Sequence, residues 1–379
     1  MALVNMRDML RHARENSYAV GAFDLVSLDF LEAVVAAAEK SRAAIILSVE
    51  ESHFAHYDFE LMMSAVETAA RRADAPVAIQ LDHGSSLDSV GRAIRLGCNG
   101  VMIDASRLAL PENIETTRAA AELAHACGVM VVGELGHVHE VDAPDKEPEL
   151  TSAAEAVAYV ERTGIDCLAV SIGTVRGRTR GRARLDFQRL KQLRQVIDIP
   201  MEIHGGSGLN EEQARKLTAL GVAKINYYTA LSELAARITR QHMKQDRNTS
   251  FITLKQGVRE AIREEVQHRL RQWGSAGRAA EVIEQCEPWE NPHYIIRHPH
   301  RKIPDKKARA ALMRRGRQQL HGIPGVRDLF LGETGDDAPA DSTLYWDIRL
   351  THPVARKTLE THPDYRMFKT DILGYTSRD

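Results

Sequence analysis

The chain has 379 residues, a length that predicts about two domains. With 44% hydrophobic and 27% charged residues, it has the composition of a soluble globular protein. A formal net charge of -2 and a pI near 6.8 give no reason to expect attraction to nucleic acids or membranes, so we expect partners of neither kind.

The sequence contains no segment typical of membrane insertion or secretion. No apolar run approaches the roughly 18 residues needed to span a bilayer, and the charged N-terminal segment MALVNMRDMLRHAREN lacks the apolar centre of a signal peptide. The four cysteines have no CxxC spacing, which is typical of buried thiols in a reducing compartment. They are Cys98, Cys127, Cys167 and Cys286. These features favour a cytoplasmic location.

Short apolar segments alternate with amphipathic ones along the first three quarters of the chain, which indicates βα units around a parallel sheet. The apolar segments predict eight strands, at residues 19–24, 44–50, 76–83, 100–106, 130–136, 167–173, 200–206 and 222–228. The amphipathic segments predict intervening helices, at residues 28–40, 86–96, 114–127, 153–163, 187–196 and 211–220. Eight such units, with extra helices to about residue 286, predict a (β/α)₈ or TIM barrel. A doubly wound open sheet is the alternative, but no GxGxxG motif follows the first strand.

A second, smaller domain is predicted after the polar, proline-containing linker EQCEPWENPH. Strands are expected at residues 293–298, 326–332 and 342–350, helices at 305–320 and 353–369, and a short last strand near Gly374. This β-α-β-β-α-β order is that of a ferredoxin-like α+β domain, over residues 291–379. Because so short a domain is marginally stable alone, we expect it to oligomerise or to dock onto the barrel of residues 1–286.

Polar residues recur where the predicted barrel strands end, which is where the reactive residues of TIM barrels lie. They are Asp24, Glu50, Asp82, His83, Asp104, Glu134, Gly173, Thr174, His204 and Asn226. Buried acids and imidazoles are costly without partners, so their convergence implies a metal, a substrate or mutual pairing. His83 could bind a metal while the adjacent Asp82 acts as an acid or base, although a helix N-cap pair is the alternative.

The segment after His204 is rich in glycine, as phosphate-binding segments are. Backbone N–H groups of Gly205-Gly206-Ser207-Gly208 and the Ser207 hydroxyl could hold an anion. The phosphate sites of TIM barrels commonly follow strands seven and eight, where this segment falls. A tight turn that simply requires glycine is the alternative.

Together these segments resemble the class II, metal-dependent fructose- and tagatose-bisphosphate aldolases. The resemblance covers residues 1–285, and it is carried by YAVGAF, QLDHG, VMIDAS, GELG, SIGTVRG, LDFQRL, IHGGSGL and KINYYT. In that family a divalent ion, usually zinc, is held by three histidines; it polarises the ketone of dihydroxyacetone phosphate and stabilises the enediolate. The resemblance implies an aldehyde-lyase of carbohydrate metabolism that uses Zn²⁺ or another divalent metal.

The resemblance also implies site residues. It places Asp82 as the acid/base on the aldehyde-derived oxygen. It places a metal site at His83, His204, Glu134 and Asp104. It places the ketose-phosphate contacts at Gly205, Ser207, Asn226 and Thr229, and we expect the substrate site also to include Asp24, Glu50 and Gly173.

The chain departs from the family pattern at Arg176, which stands where the segment GTxHG carries a third metal-binding histidine. A guanidinium has no lone pair to give, and a cation about 4 Å from a divalent ion would cost on the order of 8 kcal/mol at an effective dielectric near 20. Asp24 and Glu50 stand where the family has Asn and Ser or Thr. Either one of these carboxylates replaces the missing ligand, or Arg176 pairs with one of them and no catalytic metal binds.

A second departure lies in the loop HVHEVDAPDKEPE, which lacks the Gly-Gly pair of the family's mobile loop. Asp142 matches the proton-abstracting acid of that loop by count, and His137 or His139 could be a base or a substitute ligand. A solvated polar lid is the alternative for each. We therefore expect Asp82, Asp142 and Arg176 to be the catalytic set.

The segment WDIRLTHPVARKTLETHPDYRMF resembles the dimeric α+β barrel, or stress-responsive A/B barrel, domains. That resemblance implies pairing, and we expect a homodimer or homotetramer. We expect the whole chain to be an aldolase-type carbon–carbon lyase or aldol-forming enzyme. Its substrate would be a phosphorylated, ketose-like carbonyl compound of a specialised pathway, diverged from ordinary fructose-bisphosphate cleavage. The alternatives are a non-catalytic aldolase-like subunit or scaffold, and rearrangement or elimination chemistry in the same barrel.

Overall fold

The computed structural model describes residues 2–137, 149–174, 185–299, 306–333 and 343–371. The chain divides into two compact units. The first is formed by Met1–Val90, Cys98–Ala121 and Met130–Trp289, and the second by Gly91–Gly97, Glu122–Val129 and Glu290–Asp379.

Eight parallel strands of the first unit close into a barrel in sequence order, and the last strand pairs with the first. They are β1 (Val20–Asp24), β2 (Ile45–Glu50), β3 (Val77–Gly84), β4 (Gly100–Ile103), β5 (Met130–Leu135), β6 (Cys167–Val170), β7 (Met201–Ile203) and β8 (Val222–Tyr227). Nearly every strand residue is buried, as expected for strands covered on both faces. The predicted TIM barrel is confirmed, and the alternative of an open sheet is wrong.

The first helix precedes the first strand, and the later helices lie between or after the strands. They are α1 (Met6–Glu15), α2 (Leu28–Ser41), α3 (Phe59–Arg72), α4 (Leu87–Leu96), α5 (Leu110–Ala126), α6 (Ala153–Thr163), α7 (Phe187–Val196), α8 (Glu211–Ala219), α9 (Thr229–Gln245), α10 (Phe251–Gln272) and α11 (Ala279–Gln285). Side-chain caps begin several of them; Ser27 accepts from the N–H of Phe30, and Asn210 and Gln213 form a capping box. Among the helices in the described ranges, none is long and apolar enough to cross a membrane.

The N-terminal segment lies at the amino ends of the strands. Leu3 bridges to Val77, the first residue of its strand, and Met6 approaches Gly100 so closely that a Cβ on Gly100 would lie 2.3 Å from the Met6 sulfur. Met6 and Met9 are fully buried in the same cluster as the strand residues. The carboxyl ends of the strands, where the candidate residues lie, are therefore at the opposite end of the barrel.

The second unit contains a three-stranded antiparallel sheet in the order β10-β11-β9. Its elements are β9 (His293–Pro299), α12 (Lys306–Leu320), β10 (Val326–Glu333), β11 (Thr343–Leu350), α13 (Ala355–Thr361) and α14 (Pro363–Asp371). Trp346 and Phe368 pack edge to face, at 5.1 Å, in its core. The predicted last strand near Gly374 lies outside the described residues.

The single helix predicted over residues 353–369 is wrong, because the chain forms α13 and α14 with a break at His362. That residue has φ −69° and ψ 137°, which is extended backbone. The ring of Pro363 disfavours the helical conformation for the residue before it, so the break follows from the sequence.

Candidate active site

His83 and His204 meet at the carboxyl ends of β3 and β7. Their ring centroids are 4.3 Å apart, and Nε2 of His83 lies 3.2 Å from Nδ1 of His204. His83 has a φ of +47°, a left-handed backbone conformation that is costly for a residue with a side chain. Strain of this kind persists where the surrounding structure fixes it, and it is concentrated at functional sites.

A carboxylate lies against the outward nitrogen of each imidazole. Nδ1 of His83 is 2.9 Å from Oδ2 of Asp104, and Nε2 of His204 is 3.1 Å from Oε1 of Glu202. A carboxylate only accepts hydrogen bonds, so each of these nitrogens carries the proton as the donor. In the neutral rings, the two nitrogens that face each other then both carry lone pairs. Two facing lone pairs call for a proton or a cation between them.

The donor set fits a divalent ion. Two nitrogens on a tetrahedral zinc ion, with bonds of about 2.0–2.1 Å, are about 3.3–3.4 Å apart, close to the observed separation. Among the described residues, two groups of three could hold a metal: Asp82, His83 and His204, and His83, Asp104 and Glu134. In the first group, Oδ2 of Asp82 lies 3.7 Å from Nε2 of His83.

The predicted acidic residues Asp104 and Glu134 lie beside this pair. Oε2 of Glu134 is 3.9 Å from Nδ1 of His83 and 3.9 Å from Nε2 of His204, and the side chain is fully buried. Asp104 also accepts from the N–H and hydroxyl of Ser106. The contacts of Asp104 are therefore those of a residue that orients His83, and its predicted role as a ligand stays a prediction.

Asp82 is fully buried near the end of β3, where it is the register partner of Glu50 on β2. Burial raises its pKa, but His83, His204 and Lys224 together lower the pKa below the ordinary value. The carboxyl group is therefore ionised at neutral pH. It has the charge state of a base that could take a proton from a substrate hydroxyl.

A charged pair inside the barrel was not predicted from the sequence. Glu202 and Lys224 are register partners on β7 and β8, both fully buried, and their side chains meet at 2.7 Å. Burial opposes ionisation of Glu202, yet Lys224 and His204 lower its pKa to about 2. The available signal was a charged residue inside each of two otherwise apolar strands, MEI and VAKINY.

The glycine-rich segment after β7 has the geometry of a close backbone approach. Gly205 has a φ of +79°, and a Cβ on Gly206 would lie 2.6 Å from the carbonyl oxygen of Asn226. The Ser207 hydroxyl accepts from the N–H of Ala230, in the first turn of α9. Oδ1 of Asn226 is buried and has no hydrogen-bond partner among the described residues. Thr229 begins α9 beside this segment, and Gly173 follows β6 with a φ of +95°.

Asp24 and Glu50 lie at the ends of β1 and β2, in a polar patch that also includes His53, Tyr57 and Tyr228. His53 contacts the ring of Tyr228 at 4.7 Å between centroids, and its Nε2 is 3.8 Å from Glu50. Asp24 is 4% exposed, and Oδ1 of its carboxyl group has no hydrogen-bond partner in the described ranges. Burial raises the pKa of Asp24 well above its ordinary value, and the charges of nearby carboxylates raise it further.

Three residues of the predicted site lie outside the described residues: His139, Asp142 and Arg176. His137 is described, and its Nδ1 is 3.0 Å from the Ser106 hydroxyl. The two hypotheses for Arg176 therefore remain predictions.

Comparison with known proteins gives consistent matches over the barrel. Residues 4–278 match the family model described as fructose-bisphosphate aldolase class-II. The chain is 38% identical over 286 residues to a probable fructose-bisphosphate aldolase of Bacillus subtilis, and 36% identical over 287 residues to the fructose-bisphosphate aldolase of Geobacillus stearothermophilus. Each match covers 74% of this chain and 100% of the relative.

Two solved structures are also similar to this chain. The YdjI aldolase from Escherichia coli K12 superposes with a TM-score of 0.66 at 31% identity, over 73% of this chain and 99% of that one. A putative fructose-1,6-bisphosphate aldolase from Coccidioides immitis gives a TM-score of 0.67 at 26% identity, over 72% of this chain and 97% of that one.

Proposed function

The chain belongs to the class II fructose-bisphosphate aldolase family, which is a family of lyases, and from that membership we propose that it breaks or forms a carbon–carbon bond beside the carbonyl of a phosphorylated, ketose-like substrate. The observation that carries this proposal is the approach of His83 Nε2 and His204 Nδ1 to 3.2 Å, with a carboxylate behind each ring. A divalent ion, Zn²⁺ for example, would be held by these nitrogens and by Glu134. When bound, it would polarise the substrate carbonyl and stabilise negative charge on its oxygen.

In the cleavage direction, Asp82 would take the proton from the substrate hydroxyl as the carbon–carbon bond breaks. The bonding electrons pass to the carbonyl side and give an enediolate, and the hydroxyl carbon becomes the aldehyde. An acid must then return a proton to the enediolate carbon. Asp142 of the loop after β5 is our candidate for that acid, and Arg176 is a candidate for anchoring an anionic substrate.

The phosphate of the ketose half would lie on the glycine-rich segment. Gly205 and Ser207 offer the backbone and hydroxyl groups, and Asn226 has a buried amide oxygen that is free to accept from a substrate hydroxyl. We also assign Gly173 and Thr229 to the substrate-binding site.

The aldehyde half is where we propose divergence from fructose-bisphosphate cleavage. Beyond Asp82 it would meet Asp24 and Glu50. At about 6 Å and an effective dielectric near 20, the Glu50 carboxylate would repel each unit of phosphate charge by about 3 kcal/mol, and Asp24 would add to this repulsion when it is ionised. We therefore propose an aldehyde without a phosphate, and one bearing an amine would gain the most from these carboxylates.

The aldol-forming reaction tests both the proposed carbon–carbon bond chemistry and the proposed choice of aldehyde. Dihydroxyacetone phosphate is offered with glyceraldehyde 3-phosphate, glyceraldehyde or an amino-aldehyde, with zinc and with a chelator. We expect zinc-dependent product with the unphosphorylated aldehydes. Asp82→Asn should lower kcat by about 10²–10⁴-fold, whereas Asp88→Asn, on the exposed part of α4, should not.

Each of three outcomes would contradict a different part of the proposed function. A preference for glyceraldehyde 3-phosphate contradicts the proposed divergence alone. Full activity of the metal-free protein contradicts the proposed role of a divalent ion. No turnover, together with no exchange of a proton of dihydroxyacetone phosphate with solvent, favours the alternative of a non-catalytic subunit.

For the second unit we propose a ferredoxin-like domain, over residues 291–379, that pairs with a second copy of the chain. The order β10-β11-β9 is that of a ferredoxin-like sheet in which a fourth strand would lie beside β9. The sheet face opposite the core carries Ile295 and Phe330, which are 57% and 56% exposed. Light scattering tests this: Phe330→Glu should halve the assembly mass, and Leu61→Glu, on exposed α3, should leave it unchanged. An unchanged mass for Phe330→Glu would refute the pairing.

A further inference from the structure

Glu202 is the centre of a buried hydrogen-bond network beneath the imidazole pair. Its Oε1 accepts from Nε2 of His204 at 3.1 Å and from the amide of Asn226 at 3.2 Å. Its Oε2 accepts from the Lys224 ammonium at 2.7 Å and lies 3.8 Å from the Cys167 thiol. In each of these contacts a donor faces the carboxylate, and the Asn226 amide nitrogen also lies 3.5 Å from Nε2 of His204.

The network fixes more than the position of the His204 ring. With its proton on Nε2 and directed at Glu202, the ring must present the lone pair of Nδ1 to His83. A ring flipped about Cβ–Cγ would place a carbon against the Glu202 carboxylate, and the other tautomer would place a lone pair there, so either change would lose the hydrogen bond. A charged partner also makes an imidazole a stronger donor to a metal.

Lys224 makes a charged Glu202 possible at this depth. An isolated carboxylate at 0% exposure would take up a proton to avoid the cost of burial. A neutral carboxylic acid could donate its proton toward His204 and would no longer select the tautomer. The ion pair therefore maintains the acceptor behind His204.

We propose that Glu202, bonded to Lys224 at 2.7 Å, is a positioning residue that locks His204 in its Nε2–H tautomer and so aims Nδ1 at a cation shared with His83. This inference rests on the proposed function only for the cation. The tautomer belongs to the metal-free protein and is tested without it.

The first test uses the unmodified chain. Nitrogen NMR of ¹⁵N-histidine-labelled, metal-free protein should show His204 protonated at Nε2 and unprotonated at Nδ1 near neutral pH, with the signal assigned by a His204→Gln variant. The opposite tautomer in the wild-type protein would overturn the proposal outright. The tautomer is measured in the wild-type protein, and the variant serves only to assign its signal, so a folding defect of the variant cannot produce the expected result.

The second test measures zinc affinity by competition with a chromophoric chelator. The double variant Glu202→Gln/Lys224→Met removes both charges together and leaves no unpaired ion behind. We expect it to bind zinc about 10–100-fold more weakly than wild type, the range typical of a lost partner behind a metal-binding histidine. The variant should also show a mixture of His204 tautomers.

The matched control neutralises another pair next to β8. Glu265 accepts from Arg269 at 2.7 Å, so Glu265→Gln/Arg269→Met makes the same change of charge in a partly exposed pair away from the imidazoles. An equal loss of zinc affinity in this control, or less than twofold loss in the Glu202 variant, would overturn the proposal. Wild-type protein with the expected tautomer but without zinc binding would contradict the proposed function and leave the tautomer lock standing.

Discussion

Replacing Lys224 by Met tests how strongly the Glu202–Lys224 pair depends on both partners. The two side chains are fully buried and 2.7 Å apart. Removal of the ammonium alone leaves a carboxylate without its counter-ion in the barrel interior. Breaking a buried pair from one side costs about 3–5 kcal/mol, a large part of the roughly 5–15 kcal/mol that stabilises an ordinary domain. We expect the free energy of unfolding to fall by an amount in that range near neutral pH.

The sign of the pH dependence follows from the pKa of Glu202. In the wild-type protein, burial is outweighed by Lys224 and His204, and the pKa is lowered to about 2. The stabilisation from this carboxylate is therefore complete above its unfolded pKa of about 4.3 and is lost as the pH falls toward 2. In Lys224→Met, burial raises the pKa of Glu202, so protonation relieves the penalty. The difference in stability between the two proteins should shrink as the pH is lowered from about 7 to about 5.

Urea denaturation followed by tryptophan fluorescence measures both quantities. The matched variant is Glu202→Gln/Lys224→Met, which should recover most of the loss because no unpaired charge remains. A loss below about 1 kcal/mol for Lys224→Met near neutral pH would mean that water or another group compensates Glu202. A difference that grows on acidification would refute the assignment of charges.

Three further predictions concern other parts of the site. Asp24→Asn should become more stable relative to wild type as the pH rises from about 5 to about 8, measured by thermal unfolding, because burial raises the pKa of Asp24 and the native state loses stability as that carboxyl ionises; a constant difference would refute this. Tyr159→Phe should lose about 1–3 kcal/mol in urea denaturation, since its hydroxyl donates to the buried Asn113 at 2.9 Å; an unchanged midpoint would contradict that. Gly206→Ala should raise KM for a phosphorylated ketose more than it lowers kcat, because the new Cβ would displace the backbone of Asn226; unchanged steady-state kinetics would exclude a close approach there.

The barrel was predictable because its signals are local. Apolar β-branched segments separated by capped amphipathic helices specify βα units, and eight units specify closure. The approach of His83 and His204 was predictable for the same reason, since residues that follow parallel strands share one end of the barrel. The break at His362 was also readable from Pro363 and was missed because the apolar spacing continued across it.

The Glu202–Lys224 pair could not be assigned from the sequence in the same way. The two residues lie 22 positions apart, and their contact depends on the register between β7 and β8, where they are direct partners. No local pattern encodes that register in a closed barrel. The same holds for the choice of ring nitrogen, because Nδ1 of one histidine faces Nε2 of the other only after both side-chain rotamers are fixed by carboxylates from elsewhere. The roles that depend on Asp142 and Arg176 remain predictions.

The two hypotheses for Arg176 differ in what lies between the imidazoles. If a cation is bound, both rings are neutral and the facing nitrogens are ligands. If Arg176 pairs with Asp24 or Glu50 and no metal binds, the two lone pairs must share a proton instead. That state adds one positive charge, which the carboxylates behind the rings would stabilise. A calorimetric titration of the metal-free protein with zinc separates the two. Saturable binding of one zinc ion per chain supports the cation between the imidazoles, whereas absence of binding supports the pairing of Arg176 with a carboxylate and refutes the metal site.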